Sequence, residues 1–197
     1  MGTPSKLQEA FRLFDEANSK DPNTEVENGM EQPKELLYAK RMTQLLDEFA
    51  PDATEALKLT ARCQHICRWE IPRESYEMNR VGYLKWRQDL KKFHAEKASS
   101  ILEQVGYNKE TIDRVKFLLL KKQLKKDEDT QTLEDVICLV FLKYYYEPFL
   151  HKHDEAKMIS ILQKTWKKMS AKGHEAALKL SLSAEGLALV KKALSNT

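Results

Sequence analysis

Between Ala61 and Ala95 the chain reads ARCQHICRWEIPRESYEMNRVGYLKWRQDLKKFHA. This stretch sets His65 and His94 among Arg62, Arg68, Arg73, Arg80 and Arg87, with Trp69, Tyr76, Tyr83 and Trp86 interleaved. A surface helix accommodates the charges and a core helix the aromatics; a segment carrying both at helical spacing reads as the wall of a polar pocket. Guanidinium forks suit phosphate, sulfate or carboxylate, because two parallel N–H donors match two oxygens. Arg41 joins that arginine set from an earlier segment. Arg68-Trp69 and Trp86-Arg87 each pair a fork with an indole, which points to stacking or to an anion-plus-ring ligand such as a nucleotide. Solvated helix faces are the competing explanation for the arginines.

His65, His94 and the Glu134/Asp135 pair form a second set. Histidines from two helices and a carboxylate from a third can ligate a divalent metal or transfer protons, and hydrogen-bonded core histidines are the alternative. Cys63 and Cys67 flank His65 but lack the second ligand pair of a zinc knuckle, so they read as helix packing. Lys121, Lys122, Lys125 and Lys126 make a basic run that can touch phosphates or simply solvate a helix end. The chain has no G-x-x-x-x-G-K-[ST], G-x-G-x-x-G or G-x-S-x-G, so neither the common nucleotide-binding loops nor a serine-hydrolase elbow is supported.

The elements that would position these side chains are helices. Leu, Lys, Glu and Ala dominate, and six glycines and six prolines are few for 197 residues, which favours an all-α class. The expected organisation is one compact multi-helix domain over residues 1–197, with a loop at 24–32 and residues 152–197 as a C-terminal helical extension of the core. A first helix is expected over Ser5 to Asn18, and a second opens at Pro33. A third is expected to open on an Asp52–Glu55 capping box and to run far enough that Arg62, His65, Arg68 and Trp69 share a face. A long fourth helix from Arg80 to Val105, stopped by Gly106, aligns Arg80, Arg87 and His94 at intervals of seven. A fifth is capped by Asn108, and a sixth starts near Thr130. From Val136 to Leu142 the sixth is apolar on almost every side and therefore central, so at least one of Glu134 and Asp135 is drawn inward and needs a partner. A seventh helix follows Asp154, with Gly173 allowing its stop, and a last one spans Ser183 to Leu194.

The 33 basic and 30 acidic residues leave a formal charge of +3, too little for a dedicated duplex-DNA binder. Three cysteines offer no even disulfide framework, which suits a reducing compartment. No apolar run has signal-peptide character or bilayer-spanning length, and Lys6 stands where a myristoylation signal after Met1-Gly2 wants Ser or Thr. The expectation is a cytoplasmic protein without a membrane partner; a targeting peptide removed upstream would leave no trace here.

At PKELLYAKRM, ARCQHICRW, the IPR and GYLKWR segments, FHAEKA, LEDVICLVFL and KTWKKMSAKGHEAAL, the chain resembles an uncharacterised helical family catalogued as a domain of unknown function. The resemblance covers nearly the whole chain, and some members of that family carry a glutamyl-tRNA synthetase label. More distantly, the order of parts is similar to the histidine-aspartate (HD) phosphohydrolase superfamily, whose all-α core holds a metal between an early His, a His-Asp pair and a late Asp. That layout sets Gln64-His65 where the pair stands and Asp135 at the late aspartate. His94 falls on an intervening helix, and Glu35 or Tyr38 lies near the early position. The resemblance implies an HD-like helical core and a modified centre in which Glu35, His65 and Asp135 hold a divalent metal.

Two functions follow as expectations. In the first, a cationic, aromatic pocket binds a small phosphorylated or nucleotide-like ligand, with a divergent metal-dependent phosphohydrolase as its catalytic form. Arg41, Arg68, Trp69, Arg73, Arg87 and Lys122 would then contact the ligand, and His65, His94 and Asp135 would form the catalytic centre. In the second, the lysine runs and exposed aromatics serve a non-catalytic module that binds RNA or protein.

Overall fold

A computed structural model describes residues 4–195. The Met1-Gly2 start lies outside the described residues. The described chain is all-α apart from one small hairpin, and it divides into two compact units: residues up to Asp47 with Pro51–Lys122, and Glu48–Ala50 with the segment from Gln123 onward.

The first unit begins with α1 (Lys6–Asn18), opened by a reciprocal capping box. Ser5 Oγ accepts from the backbone N–H of Gln8, and Gln8 Oε1 accepts from that of Ser5. The segment expected as a loop at 24–32 is an antiparallel hairpin, β1 (Thr24–Glu27) paired with β2 (Met30–Pro33). Its two-residue connection has both central residues at positive φ, Asn28 at 52° and Gly29 at 77°. Asn-Gly matches the twist of such a hairpin with little strain, and this local turn chemistry overrides the polar, aperiodic character of the segment. Helix α2 (Lys34–Phe49) follows. Asp21 clamps its start: one carboxylate oxygen accepts from the backbone N–H of Glu35 at 3.0 Å, the other from Asn23.

Helix α3 spans Glu55–Cys63, and Thr54 caps it by accepting from Leu57, in place of the expected Asp52 box. The helix also stops earlier than its apolar period implies. Cys67 adopts a left-handed conformation, φ 51°, and the buried Asn18 side chain captures its backbone N–H at 2.9 Å. Ile66 and Cys67 are both buried at that reversal. Two short 3-10 turns, Arg68–Glu70 and Arg73–Ser75, lead to α4 (Arg80–Val105). Gly106 ends α4 at φ 86°, and α5 (Lys109–Leu119) is capped by Asn108. The apolar faces of α1, α3, α4 and α5 meet in one core around Phe14, Leu59, Ile66, Leu102, Val115 and Leu119. Burying such side chains stabilises by about 1.5–3 kcal/mol each.

The second unit is built on α6 (Glu128–Val140), capped by Asp127. It continues through a π-helical turn (Phe141–Tyr145) into α7 (Tyr146–Leu150). Three helices follow: α8 (Glu155–Lys168), α9 (Ala171–Ala177) and α10 (Ala184–Leu194). Gly173 does not stop a helix; it lies inside α9, whose start Ser170 caps. A Cβ at Gly173 would come 2.6 Å from Asp135 Oδ1, so the glycine permits the close packing of α9 on α6. No described helix is long and apolar enough to cross a membrane.

Candidate functional site

The turn that interrupts α3 brings His65 out of a helical face and into a cleft of the first unit. Gln64, His65, Arg68, Arg87, Leu90, Lys91, His94, Leu119 and Lys121 line this cleft, whose non-atom space is about 310 Å³ counting open solvent but which leaves only about 20 Å³ for the centres of water-sized spheres. Arg68 comes from the 3-10 turn, Arg87 and His94 from successive heptads of α4, and Lys121 from the residues just past α5. Glu35 approaches His65 from α2, with its Oε2 3.2 Å from Nδ1.

His65 is held on both faces. Tyr38 stacks on one, with ring centroids 4.1 Å apart and planes 12° from parallel. Arg68 Nη1 lies 2.9 Å from Nε2 and 3.4 Å from Nδ1. A donor on the in-plane lone pair of one ring nitrogen would be far from the other, so the guanidinium covers the opposite face. Beyond it, the Arg68 guanidinium carbon is 5.0 Å from the centroid of Trp86. Trp86 is itself anchored by Nε1 donating to the carbonyl of Ile71. Tyr38, His65, Arg68 and Trp86 thus form a stack in which the cation lies between an imidazole and an indole.

The electrostatics follow from burial and the cluster of cations. Glu35 is 7% exposed. Burial pushes its carboxyl up to about 7, against the opposing pull of Arg68 and Lys34. Burial, then the charges of Arg68, Lys121, Arg87 and Lys34, hold His65 well below the usual histidine range. His94 is depressed in the same direction by burial, by His65 and by Arg68, Arg87 and Lys121. Both imidazoles are therefore uncharged near neutral pH. The ring centroids of His65 and His94 are 5.9 Å apart. His94 is 5% exposed, and its Nε2 is buried without a hydrogen-bond partner, as is Oε1 of Gln64. An orphaned buried polar atom costs about 1–3 kcal/mol, and both of these residues line a cationic cleft.

Of the ligand contacts expected from sequence, only Arg68 and Arg87 line this cleft. Arg41 is nearly buried and spends its charge on the hairpin, donating to Glu25 at 2.5 Å and to Glu27 at 3.0 and 3.1 Å. Arg73 donates to the carbonyls of Tyr76, Glu77 and Asn79, fixing the loop before α4. Trp69 packs against the core of the unit. Lys122 is exposed, while its neighbour Lys121, at φ 52°, lines the cleft. The arginines do not stack on the indoles adjacent in sequence: Arg68 and Arg73 both face Trp86, and Arg87 faces Tyr83. Among the polar lining residues, Lys91 carried no role in the sequence, Gln64 entered only at the position of the histidine-aspartate pair, and Lys121 only within the basic run. Gln64 adjoins His65 and Lys121 opens the basic run, so each had a neighbouring signal.

Asp135 belongs to the second unit and is 2% exposed. Its Oδ1 accepts from the Ser170 backbone N–H at 2.8 Å and from Gln131 at 3.1 Å, and its Oδ2 accepts from Ser170 Oγ at 2.5 Å. Glu134, also buried, lies 3.3 Å from Lys168 Nζ. The partners demanded by these two carboxylates are thus a helix cap, an amide and a lysine. Among the described residues no group of three or more His, Cys, Asp or Glu side chains could hold a metal ion. The modified centre of Glu35, His65 and Asp135 is therefore not assembled among the described residues, and Glu35 with His65 alone offers too few donors for a metal.

The family model described as "Domain of unknown function (DUF4202)" matches residues 8–190. No curated protein and no solved structure matches the chain.

Proposed function

We propose that this chain, which belongs to the DUF4202 family, binds a small phosphorylated or nucleotide-like ligand in the cleft of its first unit. The observation that carries the reading is the lining itself: Arg68, Arg87 and Lys121 surround two uncharged imidazoles, one of which offers an unsatisfied ring nitrogen. Positive charge is gathered where no described carboxylate lines the cleft; Glu35 stands 3.2 Å from His65 and also feels the Arg68 charge. Oxyanions satisfy both the guanidinium donors and the orphaned nitrogen. With room for only about 20 Å³ of water-sized centres, the closed cleft is far smaller than a usual ligand site, so a phosphate group would bind at its mouth as the flanking side chains part, with any larger portion extending into solvent.

The same pocket supports a divergent HD-type phosphohydrolase. Glu35, poised near neutral, and His65 form a pair able to take a proton from an attacking water or return one to a leaving oxygen. Arg68 and Arg87 would stabilise the charge that develops on the phosphoryl oxygens.

The test is a thermal-shift series with inorganic phosphate, pyrophosphate, nucleoside monophosphates and sugar phosphates, followed by phosphate-release assays on whatever binds. A ligand at a hundredfold excess over its Kd adds about 2.7 kcal/mol to stability, and Arg87→Ala should remove that gain. If no phosphorylated ligand stabilises the protein and RNA binds with steep salt dependence instead, the reading fails and the nucleic-acid module takes its place.

A further inference from the structure

His94 is better built as a ligand contact than its distance from the Glu35–His65 pair suggests. It sits on α4, buried, with Nε2 unpartnered, and Gln64 Oε1 from the same lining is unpartnered too. The charged and titratable groups around it come from four elements. His65 stands in the turn after α3, Arg68 in the first 3-10 turn, Arg87 and Lys91 on α4 itself, and Lys121 just past α5. Glu35 of α2 is nearest through His65, to which it lies 3.2 Å away.

We infer that His94 sets the specificity of this cleft for doubly charged tetrahedral oxyanions, by taking up one proton from solvent when such a group binds. The inference rests on the anion-site reading above. In the ligand-free protein, burial and three flanking cations oppose an imidazolium. A dianion set between those cations cancels their field and places acceptor oxygens at Nε2, so both obstacles to protonation are lifted together. A singly charged anion leaves the field partly intact, and the imidazole stays neutral. A terminal phosphate or a free sulfate therefore gains a charge-assisted hydrogen bond that a sulfonate or carboxylate does not.

Sulfate is the probe, because it remains a dianion throughout the pH range that matters and any pH dependence belongs to the protein. Calorimetric titrations from about pH 6.5 to about pH 8.5, in two buffers of different ionisation heat, should show uptake of about one proton per sulfate. Affinity should fall about tenfold for each pH unit over that range. Methanesulfonate, tetrahedral but singly charged, should bind at least about tenfold more weakly. His94→Gln should bind sulfate weakly and without pH dependence, whereas Glu35→Gln should keep the dependence. Sulfate binding with no proton uptake overturns the inference and leaves the anion site standing, as does uptake that persists in His94→Gln or vanishes in Glu35→Gln. Failure of the wild-type protein to bind sulfate at all overturns both. Should His94→Gln not fold, the two-buffer comparison on Glu35→Gln decides, because that variant removes the other group that titrates in this range.

Discussion

Glu35→Gln gives the sharpest view of the cleft's electrostatics, because it removes one ionisable group while keeping its shape. The carboxyl is raised from 4.5 to about 7, and burial is the first cause. Each tenfold change in proton affinity is worth about 1.4 kcal/mol. Keeping the ionised Glu35 buried therefore costs the folded protein about 3 kcal/mol, an upper figure that its approach to His65 reduces. For a carboxyl raised on folding, the folded state binds the proton more tightly than the unfolded state does. The cost is absent below about pH 4.5, grows as pH rises, and is complete above about pH 7. The glutamine variant escapes this cost and loses only what the carboxyl contributes as a hydrogen-bond partner, about 1 kcal/mol. Urea unfolding at about pH 5 and about pH 8 should show the variant gaining on the wild type by about 1–3 kcal/mol between the two. A stability difference between variant and wild type that does not change with pH would refute a buried, raised carboxyl at this position.

Other perturbations probe the scaffold and the second imidazole. Because His65 and His94 are both depressed by burial, the unfolded chain binds protons more tightly than the folded one. Stability should then fall as pH drops below about 6.5, and His94→Gln should flatten that limb in a denaturation series. Asp135→Ala deletes the acceptor of Ser170 N, Ser170 Oγ and Gln131; it should destabilise by about 2–4 kcal/mol, read as a lowered urea midpoint. Gly173→Ala drives a methyl into the same carboxylate and should cost about 1–3 kcal/mol by the same measurement. Tyr146→Phe removes the bond to the Gly186 carbonyl at 2.9 Å, a loss of about 1 kcal/mol.

The sequence made the side chains of the cleft legible but not the backbone that gathers them. Periodicity placed α1, α4, α5, α8 and α10 because each has a long apolar face and a local cap, and local chemistry is what sequence patterns record. The stop at Cys63 depends on Asn18 reaching across 49 positions to the Cys67 N–H, and no short window around His65 contains that information. Arg41 and Arg73 looked like ligand contacts for the same reason. Their acceptors, on the hairpin and in the loop before α4, become visible only once the chain is folded. The hairpin itself was readable, since Asn28-Gly29 is a strong turn signal, but its flanks were too polar and short for periodicity to find. Glu134 and Asp135 show the converse. Their position at the head of an apolar helix correctly required buried partners, and the partners proved to be a lysine, an amide and a serine cap.

The cleft is most directly tested at His94 itself, by nitrogen NMR of the imidazoles during titration with a nucleoside monophosphate. The account predicts that the His94 Nε2 resonance moves with ligand occupancy, that His65 shifts less, and that Arg87→Ala weakens the response. A ligand that binds while the His94 resonance stays fixed would contradict it.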